Sequence, residues 1–353
     1  MHTPSKSKIV SPPILHALAG NKSSVLPIWM MRQAGRHLPE YLKVRATTKS
    51  FIDFCLTPEK ASDVTLQPIR RYDMDAAILF ADILLIPLGL GRDVRFVKGI
   101  GPQLDPIAPK DISALKVKMA ADHLSPVYET VSRVTSSLAA DKTLIGFCGG
   151  AWTVATYMIE GQGTPSKEMA KRFAYNHSDD TDMLLEILAR ASAEYMINQA
   201  KAGAHVLKIF ESWAEGLTPA LFERLVIKPT QLMISLIREA GIKVPIICFP
   251  RGCGLNLQAF VDSIDCQGLA VGTDTPVSEA LRIARPNQCL QGNLDPLALR
   301  IGGKALEDAV AQLLTEIQGP HIFNLGHGVS PDVKIENVEA VISHIRSGKG
   351  HYV

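Results

Sequence analysis

Eight short apolar runs, each closed by a polar residue or a glycine, punctuate this 353-residue chain. They cover Val25–Met31, Ala76–Ala81, Thr143–Cys148, His205–Phe210, Val244–Phe249, Gly268–Gly272, Gln288–Gln291 and His321–Leu325. Runs this short, unbroken by polar alternation, suit strands that are covered on both faces. Between them lie segments with helical spacing: Pro58–Tyr72, Pro126–Leu138, Ser166–Ala202, Pro219–Ala240, Pro276–Ala284, Ala305–Ile317 and Ile335–Ile345. Strand and helix in strict alternation call for a parallel sheet. No linker of proline, glycine and serine divides the chain, so eight strands favour one closed (β/α)8 TIM barrel over an open doubly wound sheet. The expected organisation is an N-terminal extension over residues 1–20 and a single barrel domain over 21–353. Long connections after the first two strands would add extra elements around one rim.

Composition narrows the partners. A net charge of +2 without a long basic run argues against nucleic acid. The first thirteen residues, MHTPSKSKIVSPP, contain no apolar core of the kind a secretory signal needs. The most apolar window, Ala76–Leu90, holds Asp82 and Pro87 and is too short to span a bilayer, so no membrane segment is expected. Six cysteines without a CxxC pair read as reduced, buried thiols, which points to the cytoplasm.

The run ends carry the chemistry. They finish in Arg32, Asp82, Gly149-Gly150, Ser212, Arg251, Asp274, Asn293 and His327, and the C-terminal rim is where barrels of this kind work. In PIWMMRQAGRHLP an apolar run stops abruptly and Arg32, Arg36 and His37 follow, spaced by Ala34-Gly35. Guanidinium forks match carboxylates in pairs of bonds, and a small step admits close backbone approach. The segment therefore reads as a clamp for a carboxylate-rich molecule, against the plainer alternative of solvated arginines at a helix start. Asp82 closes a wholly apolar strand. It could cap the next helix, but a carboxylate in an apolar mouth facing arginines can also accept several ligand N–H groups. Tyr157 lies inside the helix opened by GFCGGAW, where a structural role and a ligand contact compete. Ser212 in KIFESW lacks the elbow of a nucleophile and suits a hydrogen-bonding role. His327, between Gly326 and Gly328 on the last strand, suits a ligand-facing imidazole. No spacing supplies a metal site or a nucleotide-binding loop.

Taken together, MRQAGRHLPEY, FADIL, GFCGGAWTVATYMIEG, FESWAEGL, QGNLDP and FNLGHGV resemble, in order, the segments of the uroporphyrinogen decarboxylase family. The resemblance runs from about Val25 to Ile345. It implies a cofactor-free enzyme without a metal, which removes CO2 from the four acetate arms of uroporphyrinogen III to give coproporphyrinogen III. It also implies a homodimer with facing clefts. By resemblance, Arg32, Gln33, Ala34, Gly35, Arg36 and Arg45 bind substrate and Asp82 accepts the central pyrrole N–H groups. Tyr157, Ser212 and His327 contact the arms, while Asp82 and Arg32 are catalytic. His37, Ala81, Glu215 and Thr275 stand where the family usually has tyrosine, serine, glycine and tryptophan. Related barrel methyltransferases carry a His-x-Cys pair at the fifth strand end; here the stretch is CFPRGCG, without that histidine.

Overall fold

The computed structural model describes residues 11–23 and 25–348, apart from the side chains at 118 and 119. The first ten residues of the expected extension, and with them most of the segment read for a signal, lie outside the described residues. Among the described residues nine strands form: β1 (Ala76–Ile78), β2 (Val94–Val97), β3 (Gly101–Leu104), β4 (Thr143–Gly149), β5 (Val206–Glu211), β6 (Ile246–Pro250), β7 (Gly268–Ala270), β8 (Cys289–Leu294) and β9 (His321–Leu325). Seven of them make one parallel sheet in the order β1-β4-β5-β6-β7-β8-β9, as a (β/α)8 barrel requires.

The eighth stave is the run Val25–Met31, and it pairs in a way the sequence did not disclose. It forms a single parallel bridge, Ile28 to Phe323. On that side Phe323 donates to Pro27 O at 2.8 Å and Trp29 donates to Phe323 O at 3.3 Å. Toward β1 a side chain replaces part of the ladder: Ile28 N–H donates to Asp75 Oδ2 at 2.7 Å, while Asp75 N–H donates to Ile28 O at 2.9 Å. Arg346 of the last helix, Ile335–Arg346, holds the same carboxylate at 2.8 Å. The circle is thereby closed between β9 and β1.

Two expected helices are interrupted for physical reasons. Ser166–Ala202 splits into Glu168–Asn176 and Ser178–Lys201 at His177, and Arg224 donates to the carbonyls of Ala174 and Ser178 on either side of the break. Pro219–Ala240 widens into a π turn at Glu223–Ile227, just before Pro229, which has no N–H to give to an α-helical ladder. The long early connections hold further elements: helices Pro39–Arg45, Phe51–Cys55 and Leu85–Gly89, and the β2–β3 hairpin. Below, Ile14, Ala17 and Leu18 of the helix Pro13–Leu18 are buried against the barrel.

The core has one unexpected occupant. Lys208 points inward from β5, fully buried, with its ammonium 4.9 to 5.4 Å from the ring centres of Phe210, Trp29 and Phe249. Burial pulls its pKa down to about 7, and the ring faces stand in for the water it has lost.

Candidate functional site

The arginine loop is built by a turn that needs its small residues. Arg32 has φ 63, a left-handed conformation that costs a non-glycine residue about 1 kcal/mol. Gly35 closes the turn so tightly that a Cβ there would sit 2.8 Å from Arg32 O. Gln33 anchors it from beneath: its side-chain amide donates to Ala76 O at 2.8 Å, and its Oε1 accepts from Met30 N–H at 2.9 Å. That amide is buried and consumed by backbone, whereas Arg32 and Arg36 stay exposed and Ala34 and Gly35 half-buried. The Arg32 side chain then lies across the last stave. A Cβ on Gly328 would collide with Arg32 Cδ, so glycine is what lets the first and last staves meet here.

Asp82 follows β1 and is bent toward the same space. Its Oδ1 accepts from Leu84 N–H at 2.8 Å, closing a local turn ahead of the helix Leu85–Gly89, whose N-cap is Leu84 rather than Asp82 as the capping alternative had it. Its Oδ2 has no hydrogen-bond partner among the described residues. Burial raises the carboxyl to about 6, opposed by the Leu84 bond and by the positive charge of Arg32. Asp82 thus remains mostly ionised at pH 7, as an anion in a poorly solvated mouth.

Tyr157, on the helix Ala151–Glu160, senses both groups. Burial and Asp82 raise its hydroxyl to about 12, with Arg32 opposing, so it is a proton donor throughout the neutral range. Its ring stacks on Trp213 at 4.2 Å, and Trp152 Nε1–H ties that loop down by donating to Trp213 O at 3.2 Å. Ser212 precedes Trp213, half-buried, with its carbonyl accepting from Arg251 Nη1 at 3.2 Å. Glu211 faces the opposite side of the strand. It accepts from the Thr153 hydroxyl, its Oε2 is buried without a partner, and burial raises it to about 8.

His327 completes the ring. Gly328 N–H donates to its Nδ1 at 2.6 Å, so the neutral imidazole carries its proton on Nε2 and offers a donor. Burial, with Arg251 and then Arg32 adding to it, lowers its pKa to about 4, and it stays neutral at working pH. Arg36 and Arg45 sit one layer outward, both close enough to act on Tyr41, whose ring packs on Phe80 two residues before Asp82.

The structure therefore gathers Arg32, Asp82, Tyr157 and His327 around one mouth, with Ser212 beside Trp213, while Arg36 and Arg45 stand near Tyr41. Sequence reasoning assigned no role to Arg251 or Trp213. Arg251 was visible as a run end, and Trp213 followed Ser212 directly, but neither carried a motif of its own. Of the departures from the family pattern, Glu215 pairs with the buried Lys167, and His37 stacks over Tyr72 at 6.5 Å. Cys253 is a buried thiol raised to about 12 by burial and Asp274. Among the described residues no three His, Cys, Asp or Glu side chains come together as metal donors. Surface clefts of about 500 and 680 Å3 open elsewhere, on the flank around Asp63 and Arg70, and none of the mouth residues lines them.

Comparison with known proteins identifies the family. A family model described as uroporphyrinogen decarboxylase (URO-D) matches residues 11–348. A uroporphyrinogen decarboxylase of Hyphomonas neptunium is 51% identical over 338 residues, covering 95% of this chain and 98% of that protein. One from Phenylobacterium zucineum is 49% identical over 335 residues, covering 95% and 97%. Among solved structures, a methyltransferase from Methanosarcina mazei superposes with a TM-score of 0.78 at 18% identity, covering 96% of this chain and 98% of that one, a likeness of fold alone.

Proposed function

The chain belongs to the uroporphyrinogen decarboxylase family, and from that premise we propose how its mouth removes CO2 from the four acetate arms of uroporphyrinogen III, giving coproporphyrinogen III for haem and porphyrin biosynthesis. The protein is a carboxy-lyase, and the difficulty it must overcome is electronic. An acetate on an electron-rich pyrrole has nowhere to send the electrons of the C–CO2 bond. Protonating the ring carbon next to the one that bears the arm creates a cation shared between the ring nitrogen and the arm-bearing carbon. The C–CO2 bond then breaks, its electrons forming an exocyclic C=CH2 bond. A second proton on that carbon makes the methyl group, and loss of the ring proton restores the pyrrole. Each turn consumes one proton and releases one CO2.

The observation that carries this reading is Asp82, ionised beside Arg32 with Oδ2 uncommitted. Such an anion accepts the pyrrole N–H groups and stabilises the positive charge as it develops, the type of fixed electrostatic complement that contributes most to catalysis. Arg32 orients the reacting carboxylate, and its strained, seated position removes the freedom that would otherwise be lost on binding. Arg36 and Arg45 hold further arms. Tyr157 and His327 contribute neutral donors, and Ser212 a hydroxyl. Ala34 and Gly35 give close backbone approach, while Gln33 serves the substrate by fixing the loop. The barrier demands about 20 kcal/mol of stabilisation, near the upper end for enzymes, so charge placement must supply much of it.

We read residues 1–20 as an extension and 21–353 as one catalytic unit, working as a homodimer in the cytoplasm. Exposed Val97, Ile100 and Leu255, in the hairpin and in the loop after β6, support an apolar contact between copies, and light scattering tests it. Anaerobic incubation with uroporphyrinogen, followed by oxidation and separation of products by carboxylate number, tests the activity. Stepwise appearance of the seven- to four-carboxylate products is expected, and an unchanged substrate overturns the reading.

A further inference from the structure

The three arginines assigned to substrate so far all come from one sector of the barrel, the loop and helix that follow the first stave. Uroporphyrinogen carries carboxylate arms around its whole rim, so one cationic sector leaves the far arms unheld. The sheet order places the β6 stave fifth around the circle, diametrically across from the stave that carries Arg32. Arg251 stands at its end. Its backbone is fixed by bonds to Phe249 O and Glu211 O, both at 3.0 Å, and its Cγ passes 3.8 Å from where a Cβ of Gly272 would lie. One guanidinium nitrogen, Nη1, donates to Ser212 O at 3.2 Å. No carboxylate lies within ion-pair distance of it among the described residues, although the side chain is only half-exposed, a rare situation for arginine. It also lies close enough to His327 to act on that imidazole together with Arg32, so both guanidinium groups face one space from opposite walls.

We infer that Arg251 is a second anion-binding pole of the mouth, taking a carboxylate arm on the side of the macrocycle opposite the Arg32 loop. The inference rests on the proposed decarboxylase reading and adds a binding subsite to it. An arm held there is one that is not reacting. Its binding energy fixes the ring in register over Asp82 while the acetate across the mouth loses CO2. The bond to Ser212 O orients the guanidinium and leaves its other nitrogens for a bidentate grip.

The test compares wild type, Arg251→Gln and Arg251→Lys in two assays. In the first, tryptophan fluorescence quenching by oxidised uroporphyrin reports binding without turnover; the Gln variant is expected to bind about tenfold to hundredfold more weakly, with Lys recovering part of the loss. In the second, KM for uroporphyrinogen rises by a similar factor while kcat falls by less than about threefold, the signature of lost binding outside the reacting centre. Binding and KM of Arg251→Gln within about twofold of wild type overturn the inference. So does an equal loss in Gln and Lys variants accompanied by a lowered Tm, which marks a structural part. A wild type that binds uroporphyrin through Arg251 yet forms no product separates failure of the activity from failure of the subsite.

Discussion

Asp82 and Glu211 are two carboxyl groups at strand ends of the same barrel, with β4 between their strands, both raised by burial, and they have opposite fates. Asp82, at about 6, has Arg32 for company and one uncommitted oxygen facing the mouth. Glu211, at about 8, lies behind the strand against Thr153 and Gly150, with no cation among the described residues to offset its burial. At pH 7 the first is an anion and the second mostly an acid. The difference teaches that strand-end position alone does not make a catalytic carboxylate; a neighbouring guanidinium keeps it charged where water has been withdrawn.

The sharpest way to break the comparison is to neutralise each carboxyl in turn. Asp82→Asn should lower kcat by about a thousandfold or more, since it removes the anion proposed to lie under the ring. Its Tm should hold or rise, because a carboxyl raised in the folded state is penalised for ionising at neutral pH. Product analysis and calorimetry check both. Arg32→Gln should cost about a hundredfold in kcat/KM and, with the offsetting charge gone, push Asp82 higher. The acid limb of the pH profile should therefore move to higher pH. In wild type that limb is expected near pH 6, with kcat/KM falling tenfold per unit below it as Asp82 takes up its proton. A limb that stays put in Arg32→Gln breaks the link between the two residues.

Glu211→Gln is the small effect, less than about threefold in kcat at pH 7, because the replaced group already carries a proton. Its signature is in stability. A carboxyl raised from its ordinary 4.5 to about 8 contributes stability fully below pH 4.5 and loses it as pH climbs through 8. Denaturation from pH 6 to 9 should show wild type losing more than the Gln variant.

Much of this was legible in the sequence, and what was missed has a common cause. The alternating apolar runs fixed the barrel, because strands covered on both faces leave an unmistakable pattern. The RQAGR motif located the arginine clamp, since its small step between two charges has no packing use. The bonding of the first stave was hidden, because its ladder passes through the Asp75 side chain, and nothing local marks an aspartate as a backbone surrogate. Lys208 was invisible as a core residue, because its stabilisation comes from Trp29, Phe210 and Phe249 on three different strands. Arg251 stood in plain view, but its meaning depends on which stave lies across the circle, and only the closed topology supplies that.

The seam at Gly328 has a bearing on how the protein comes to life in the cell. Arg32 belongs to the first stave to leave the ribosome, while the glycine that seats it and the neighbouring His327 belong to the last. A nascent chain already holding Asp82 has nothing to lodge its arginine against. Competence to decarboxylate is thus withheld until synthesis is nearly finished, and a prematurely released fragment inherits the acid without its guardian.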